Sequence, residues 1–291
     1  MIDQTSMEKL YVKTNGIQLN VVAKGNPRDP MVVFLHGFPE FWFGWRKQID
    51  DFVSKGYFVV VPNQRGYHLS NKPRGRWKYR INQLAKDVLG LLDHFHQKKA
   101  IVIGHDWGGA VAWYLATFFP ESVEKLIVLN CPHPLAFRKN LFRNLRQLRK
   151  SWYMFFFQCP FLPEFFLRKG DWTFLVQTLL GTSSRGTFSE EEIDQYKEAW
   201  REPRAITAMV NWYRAMFFPI RRAKGFLPLR TPALLLWGEK DIFLGKEFAQ
   251  PSIDLCQKGR VEYFEDATHW IQHEKAKEVN SLMLHFLQES P

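Results

Sequence analysis

Apolar positions fall in short clusters along this chain, and their spacing changes character twice. Residues 9–12 and 17–22 alternate apolar with polar around Asn15-Gly16, a pattern that predicts an antiparallel hairpin. From residue 31 onward the alternation gives way to continuous apolar runs at 31–35, 57–61, 100–103, 125–129, 232–237 and 261–264. Runs of that length suit strands buried on both faces, and helix-like stretches separate them. A mostly parallel sheet of about eight strands flanked by helices follows. The rhythm stops between 132 and 226, where the chain is helix-like, aromatic and basic. The expected organisation is therefore an α/β core at 1–131 and 227–291, interrupted after a mid-sheet strand by a helical cap at 132–226. An insertion at that point would lie over the carboxyl ends of the strands, where such sheets hold their sites.

Composition changes this picture little. With 291 residues, 46% of them hydrophobic, the chain can bury one large core carrying an insertion. Three cysteines, Cys131, Cys159 and Cys256, are too few and too odd in number for a disulfide framework. They predict reduced, mostly buried thiols and a cytoplasmic protein. Residues 1–8 carry acids where a secretory leader needs a basic start, and no window reaches the roughly 18 apolar residues of a membrane span. A formal charge of +11 invites nucleic-acid or membrane readings, but no nucleic-acid motif accompanies it, and none is expected to bind. Residues 135–150 place Arg138, Lys139, Arg143, Arg146, Arg149 and Lys150 among leucines and phenylalanines. Such a basic amphipathic cap surface is compatible with weak peripheral membrane association. Asp93-His94-Phe95-His96 looks superficially like a metal pair, yet it lies beside Lys98 and Lys99 without further ligands at suitable spacing, so a solvated helix end and no metal are expected. The sequence carries no signal for an oligomeric state.

The strongest chemical signal is Gly104-His105-Asp106-Trp107-Gly108-Gly109, directly after an apolar β-branched run. Small residues around an apex residue allow the tight strand-to-helix corner of a nucleophile elbow. The apex here is Asp106, whose carboxylate can attack an electrophilic carbon without first losing a proton. Displacement at saturated carbon is the chemistry this favours; the alternative is that Asp106 only caps the following helix. The turn His36-Gly37-Phe38-Pro39-Glu40 follows another buried strand and falls where a second oxyanion-hole donor is needed, which names the amides of Phe38 and Trp107. Strands also end before Gly238-Glu239-Lys240-Asp241 and before Glu265-Asp266-Ala267-Thr268-His269. In the chain order nucleophile, acid, histidine, His269 becomes the general base and Asp241 its orienting acid, ahead of Glu239, Glu265 and Asp266. The loop 63–70 is assigned a shaping role beside the site.

Taken together, His36-Gly37-Phe38-Pro39, the elbow, Asn130-Cys131-Pro132-His133-Pro134 and the segments around Tyr153 and Tyr213 resemble the α/β-hydrolase-fold epoxide hydrolases over essentially the whole chain. The resemblance implies that Tyr153 and Tyr213 hold the epoxide oxygen, that His36 and Glu40 organise water and base, and that no cofactor is needed. It implies a hydrophobic epoxide and water as substrates, met by Trp152, Met154, Phe157 and Trp270. The chain has Asn63 where that family commonly has an acid, His68 where it has glycine, and Met154 where some relatives have a polar neighbour of the tyrosine. Two rival readings share the architecture. A haloalkane or haloacid dehalogenase would use the same aspartate and histidine, and a non-catalytic homologue would bind ligand without turnover.

Overall fold

In the computed structural model, which describes residues 6–141, 144–218 and 227–289, eight strands form one sheet. They are β1 (Glu8–Thr14), β2 (Ile17–Lys24), β3 (Met31–Leu35), β4 (Phe58–Pro62), β5 (Ala100–His105), β6 (Val123–Leu129), β7 (Ala233–Gly238) and β8 (Gly259–Phe264). Their spatial order is β1-β2-β4-β3-β5-β6-β7-β8. Only the pairs β1–β2 and β2–β4 are antiparallel; the others run parallel. The fully buried rows of β3, β4, β5 and β7 explain their unbroken apolar sequence. Successive side chains point to opposite faces, so Val33, Val60, Val102, Val128 and Leu235 join one core while Phe34, Val61, Ile103, Ile127 and Leu236 join the other.

Helices cover both faces. In chain order they are α1 (Ile49–Ser54), α2 (Ile81–His94), α3 (Trp107–Phe118), α4 (Pro134–Leu141), α5 (Leu145–Lys150), α6 (Trp152–Phe156), α7 (Leu162–Thr182), α8 (Glu190–Arg201), α9 (Ala205–Ala215), α10 (Ala249–Ile253), α11 (Ile271–Glu274) and α12 (Ala276–Gln288). Helix α3 is buried over ten of its residues, as a helix that is apolar all round must be. Among the described residues, the regular elements between β6 and β7 are all helices, α4 to α9. Trp200 donates its indole N–H to the Pro39 carbonyl at 2.6 Å, and Trp212 donates to that of Arg65 at 2.9 Å. These bonds bring α8 and α9 down on the loops that follow β3 and β4, at the carboxyl end of the sheet.

The basic stretch 135–150 is not one amphipathic helix but two short ones. Asn144 interrupts it in extended conformation, and its side chain caps α5 by accepting the Gln147 amide. Buried Gln147 then donates to the Phe243 carbonyl at 2.7 Å, and Lys150 donates to the Asp241 carbonyl at 2.9 Å. Part of this segment is thereby tied to the core rather than lying free; Arg143 falls outside the described residues. The cysteines are free thiols, Cys131 buried, Cys256 half-buried and Cys159 exposed, so the expectation of mostly buried thiols needs correcting at Cys159. Among the described residues no helix is long and apolar enough to cross a membrane, and no cluster suited to a metal ion occurs, His94 and His96 included.

Candidate active site

Asp106 stands between β5 and α3 with φ of 50° and ψ of −122°, a conformation costly for a side-chain-bearing residue and typical of functional corners. The corner closes because its glycines lack side chains: a Cβ on Gly108 would lie 2.0 Å from the Leu35 carbonyl oxygen, and one on Gly37 2.4 Å from Asp106 Cβ. Although Asp106 occupies the helix N-cap position, its side chain makes no capping bond. Its Oδ1 instead accepts the Phe38 amide at 2.9 Å. The amide of Trp107, first residue of α3, belongs to the turn whose N–H groups have no partner within the helix.

On the other side, Asp106 Oδ2 lies 3.8 Å from His269 Nε2. His269 Nδ1 donates to Asp241 Oδ2 at 2.7 Å, and both residues are buried. The remaining capacity of Asp241 is filled by the amides of Phe243 and Leu244 at 2.7 and 2.9 Å and by Asn130 Nδ2 at 2.8 Å. Burial works against the Asp241 charge, but His269 and these donors outweigh it and hold the carboxyl below its ordinary range. Burial likewise opposes charge on His269, yet Asp241, Asp106 and Glu40 prevail and raise its pKa above the usual 6.5.

Tyr153, at the start of α6, and Tyr213, near the end of α9, lie with ring centroids 5.8 Å apart. Burial first and the Asp106 charge second push both phenols well above 10, so they stay protonated donors at any ordinary pH. Trp107 stands edge-on to Tyr213, with ring centroids 5.1 Å apart. Phe157 packs against Phe38 and Tyr213 at 5.8 and 4.9 Å, and Met154 is buried beside them. Trp270 stands edge-on to His269 at 5.0 Å with its N–H on Thr182. Trp152 is 54% exposed and its ring neighbour is Phe156.

His36 and Glu40 occupy different shells of the site. His36 donates from Nδ1 to the Gly37 carbonyl and accepts the Gln64 amide at Nε2, both at 3.0 Å. Burial lowers its pKa to about 4, which agrees with a neutral ring that fixes the loop bearing the Phe38 amide. Glu40 is nearer the base. Its Oε1 accepts from Tyr196 at 2.8 Å and from His273 Nε2 at 2.7 Å, while Oε2 lies 3.2 Å from His105 Nδ1. His105 in turn donates from Nε2 to the His269 carbonyl at 2.9 Å. Burial keeps His273 neutral despite Glu40, and Arg46 donates to its Nδ1 at 3.1 Å.

Sequence reading missed Asn130, His105, Tyr196, His273 and Phe243 as parts of this arrangement. Asn130 adopts a positive φ of 44° and links Gly238 N to Asp241; a turn asparagine after a buried strand was the available hint. Phe243 lies 5.2 Å from His269 and 6.0 Å from Tyr153. Asn63 accepts the Trp42 amide and donates to Asn20 Oδ1 at 2.7 Å, a pairing that an aspartate could not make. His68 takes the left-handed conformation, φ 41°, that suits a glycine, and packs on Phe41.

Residues 30–276 match the family model described as alpha/beta hydrolase fold. Over 96% of this chain, 37% of residues are identical to human Epoxide hydrolase 4, of which 78% is covered, and 36% to Epoxide hydrolase 1 of Caenorhabditis elegans, of which 70% is covered. An AB hydrolase superfamily protein, YfhM of Bacillus subtilis, is 45% identical over 96% of this chain and 97% of its own length. An epoxide hydrolase of Bacillus megaterium solved with an inhibitor superposes with a TM-score of 0.87 at 29% identity, covering 96% of this chain and all of that one. The chain belongs to the epoxide hydrolases of the α/β-hydrolase fold.

Proposed function

We propose that the protein hydrolyses a hydrophobic epoxide to a vicinal diol through an ester on Asp106. The observation that carries this is the pair of protonated phenols, Tyr153 and Tyr213, within the electrostatic reach of the Asp106 carboxylate. With Oδ1 held by the Phe38 amide, Oδ2 is the free oxygen that attacks a ring carbon. The carbon–oxygen bond of the oxirane breaks, its electron pair goes to the ring oxygen, and the phenols donate to the resulting alkoxide.

Oδ1 then becomes the ester carbonyl oxygen, already seated on the Phe38 amide. His269 Nε2 takes a proton from water, hydroxide adds to the ester carbon, and the tetrahedral oxyanion rests on the amides of Phe38 and Trp107. Collapse releases the diol and restores Asp106. Alkylation removes the Asp106 charge that raises the His269 pKa, so forming the ester leaves more of the histidine in the neutral form that can accept a proton from water. Met154 and Phe157 line the substrate side of the tyrosines, and Trp270 backs the base. The exposure of Trp152 argues against substrate contact in this conformation.

A dehalogenase reading is disfavoured because the two adjacent phenols, Tyr153 and Tyr213, held protonated by burial, suit a developing alkoxide better than a leaving halide. The test is turnover on styrene oxide and a panel of lipid epoxides beside chloroalkanes. Diol formation without halide release is expected, and the reverse would overturn the assignment. In a single turnover in water labelled with heavy oxygen, the label should enter Asp106 and not the first diol. Replacing both tyrosines by phenylalanine should abolish ester formation; full activity in that variant would refute the alkoxide-donor role.

A further inference from the structure

A groove of about 820 Å³, lined by none of the residues placed in the active site, runs between the cap helices α7 and α9 and the loop after β4. One wall is the start of α7, with Phe161 84% and Phe165 69% exposed. Gly75 and Arg76 of the core line it as well. Two further cations, Arg168 and Lys169, are among its lining residues. Its one lining acid, Glu164, is bound by both terminal nitrogens of Arg214 at 2.6 and 3.0 Å. The field at its mouth is therefore set by the arginines and lysine.

The aromatic surface continues beyond the groove. Phe155 of α6 lies 6.2 Å from exposed Phe217, and Phe218 carries the guanidinium groups of Arg76 and Arg80 at 5.4 and 4.1 Å. Trp77, 53% exposed, extends the same loop. Phe161 has a positive φ of 61°, a conformation that is uncommon for a bulky residue and carries strain. Strained backbone that turns a phenyl ring into water is unfavourable in solution alone. Outward aromatic rings with cations among them match the interface of an anionic membrane, where rings sit at headgroup depth and lysine or arginine meets lipid phosphate.

We infer that this face docks on an anionic phospholipid bilayer, with Phe161 and Phe165 entering the interface and Arg76, Arg168 and Lys169 meeting headgroups. Two groups on the groove floor, Gln158 and Asn211, belong to the segments that hold the tyrosines: Gln158 donates to the carbonyls of Met154 and Tyr213. On α9, Asn211 and Tyr213 are two residues and so about 200° apart, which puts the groove on the side of that helix opposite Tyr213. Docking this way would place the cap against the phase in which apolar molecules concentrate.

The test is flotation of the full chain with vesicles of phosphatidylcholine alone or mixed with phosphatidylglycerol, at low and high salt. Binding to the mixed vesicles, weakened by salt, is expected. Neutralising Arg168 and Lys169 (R168Q/K169Q) should reduce partitioning about thirtyfold, about fivefold per cation, and Phe161→Ser with Phe165→Ser should reduce it further. These side chains are exposed, so hydrolysis of a water-soluble epoxide should be unchanged and reports that the variants are folded. Absence of vesicle binding, binding indifferent to phosphatidylglycerol, or wild-type binding by the variants would overturn the inference. So would a dimer that the serine variant abolishes while vesicles fail to bind, since that assigns the face to a second copy. The readout needs no turnover, so it stands apart from the assignment of the reaction.

Discussion

Replacing Asn130 by aspartate tests how the base is held. The substitution keeps shape, and aspartate tolerates the positive φ that Asn130 adopts. A neutral carboxyl there reproduces the two shorter of the three existing bonds, its O–H donating to Asp241 and its carbonyl accepting from the Gly238 amide, and gives up only the 3.4 Å bond to the Gly238 carbonyl. Once ionised it sets a second negative charge about 2.8 Å from Asp241 Oδ2. At an effective dielectric of about 20 that repulsion amounts to about 6 kcal/mol, or roughly four pKa units, moving an ordinary aspartate from about 3.9 to about 8. Below that value the variant should match the parent protein. Above it, the two carboxylates repel, Asp241 loses its hold on His269, and the doubled charge keeps the imidazole protonated. The assay is the pH profile of kcat for diol formation, with circular dichroism to confirm the fold. The parent profile should rise to a plateau and the variant should show a bell with an alkaline fall near pH ~8. A variant profile that stays flat to about pH 10, or activity lost at every pH, would refute the account.

Three other outcomes follow from the same geometry. His269→Ala should accumulate the Asp106 ester, seen as an intact-mass increase equal to the epoxide, because attack does not need the base while ester hydrolysis does; no adduct would count against covalent catalysis. In the free enzyme Asp241, Asp106 and Glu40 raise the His269 pKa against the effect of burial, and water activation requires the neutral ring, so hydrolysis should grow as pH rises through the histidine's own raised pKa. After ester formation the Asp106 charge is gone, and the limb for ester decay should lie at lower pH than the His269 titration followed by NMR in the free protein. An equal or higher value would exclude the charge coupling. Gly108→Ala should destabilise by about 3 kcal/mol, since the new methyl meets backbone of β3 and not a movable side chain; an unchanged denaturation midpoint would show that strand and helix can separate at no cost.

Local pattern determined much of this protein. Continuous β-branched runs marked the buried strands because a strand covered on both faces has no polar side to display, as β3, β5 and β7 bear out. The elbow was equally legible, since a corner of that curvature needs missing side chains at fixed spacing around Asp106. Strand ends in the right order then singled out Asp241 and His269 among many acids and histidines. What the sequence left open depends on contacts between residues far apart in the chain. Glu40, His105, Tyr196 and His273 come from four separate segments, and no spacing rule links them. The helix expected over 135–150 became two because Gln147 and Asn144 bond to residues about 100 positions away. Side-chain pairing across such distances costs chain entropy and is repaid only when the whole sheet has formed, so the tertiary structure alone decided which polar residues serve the site.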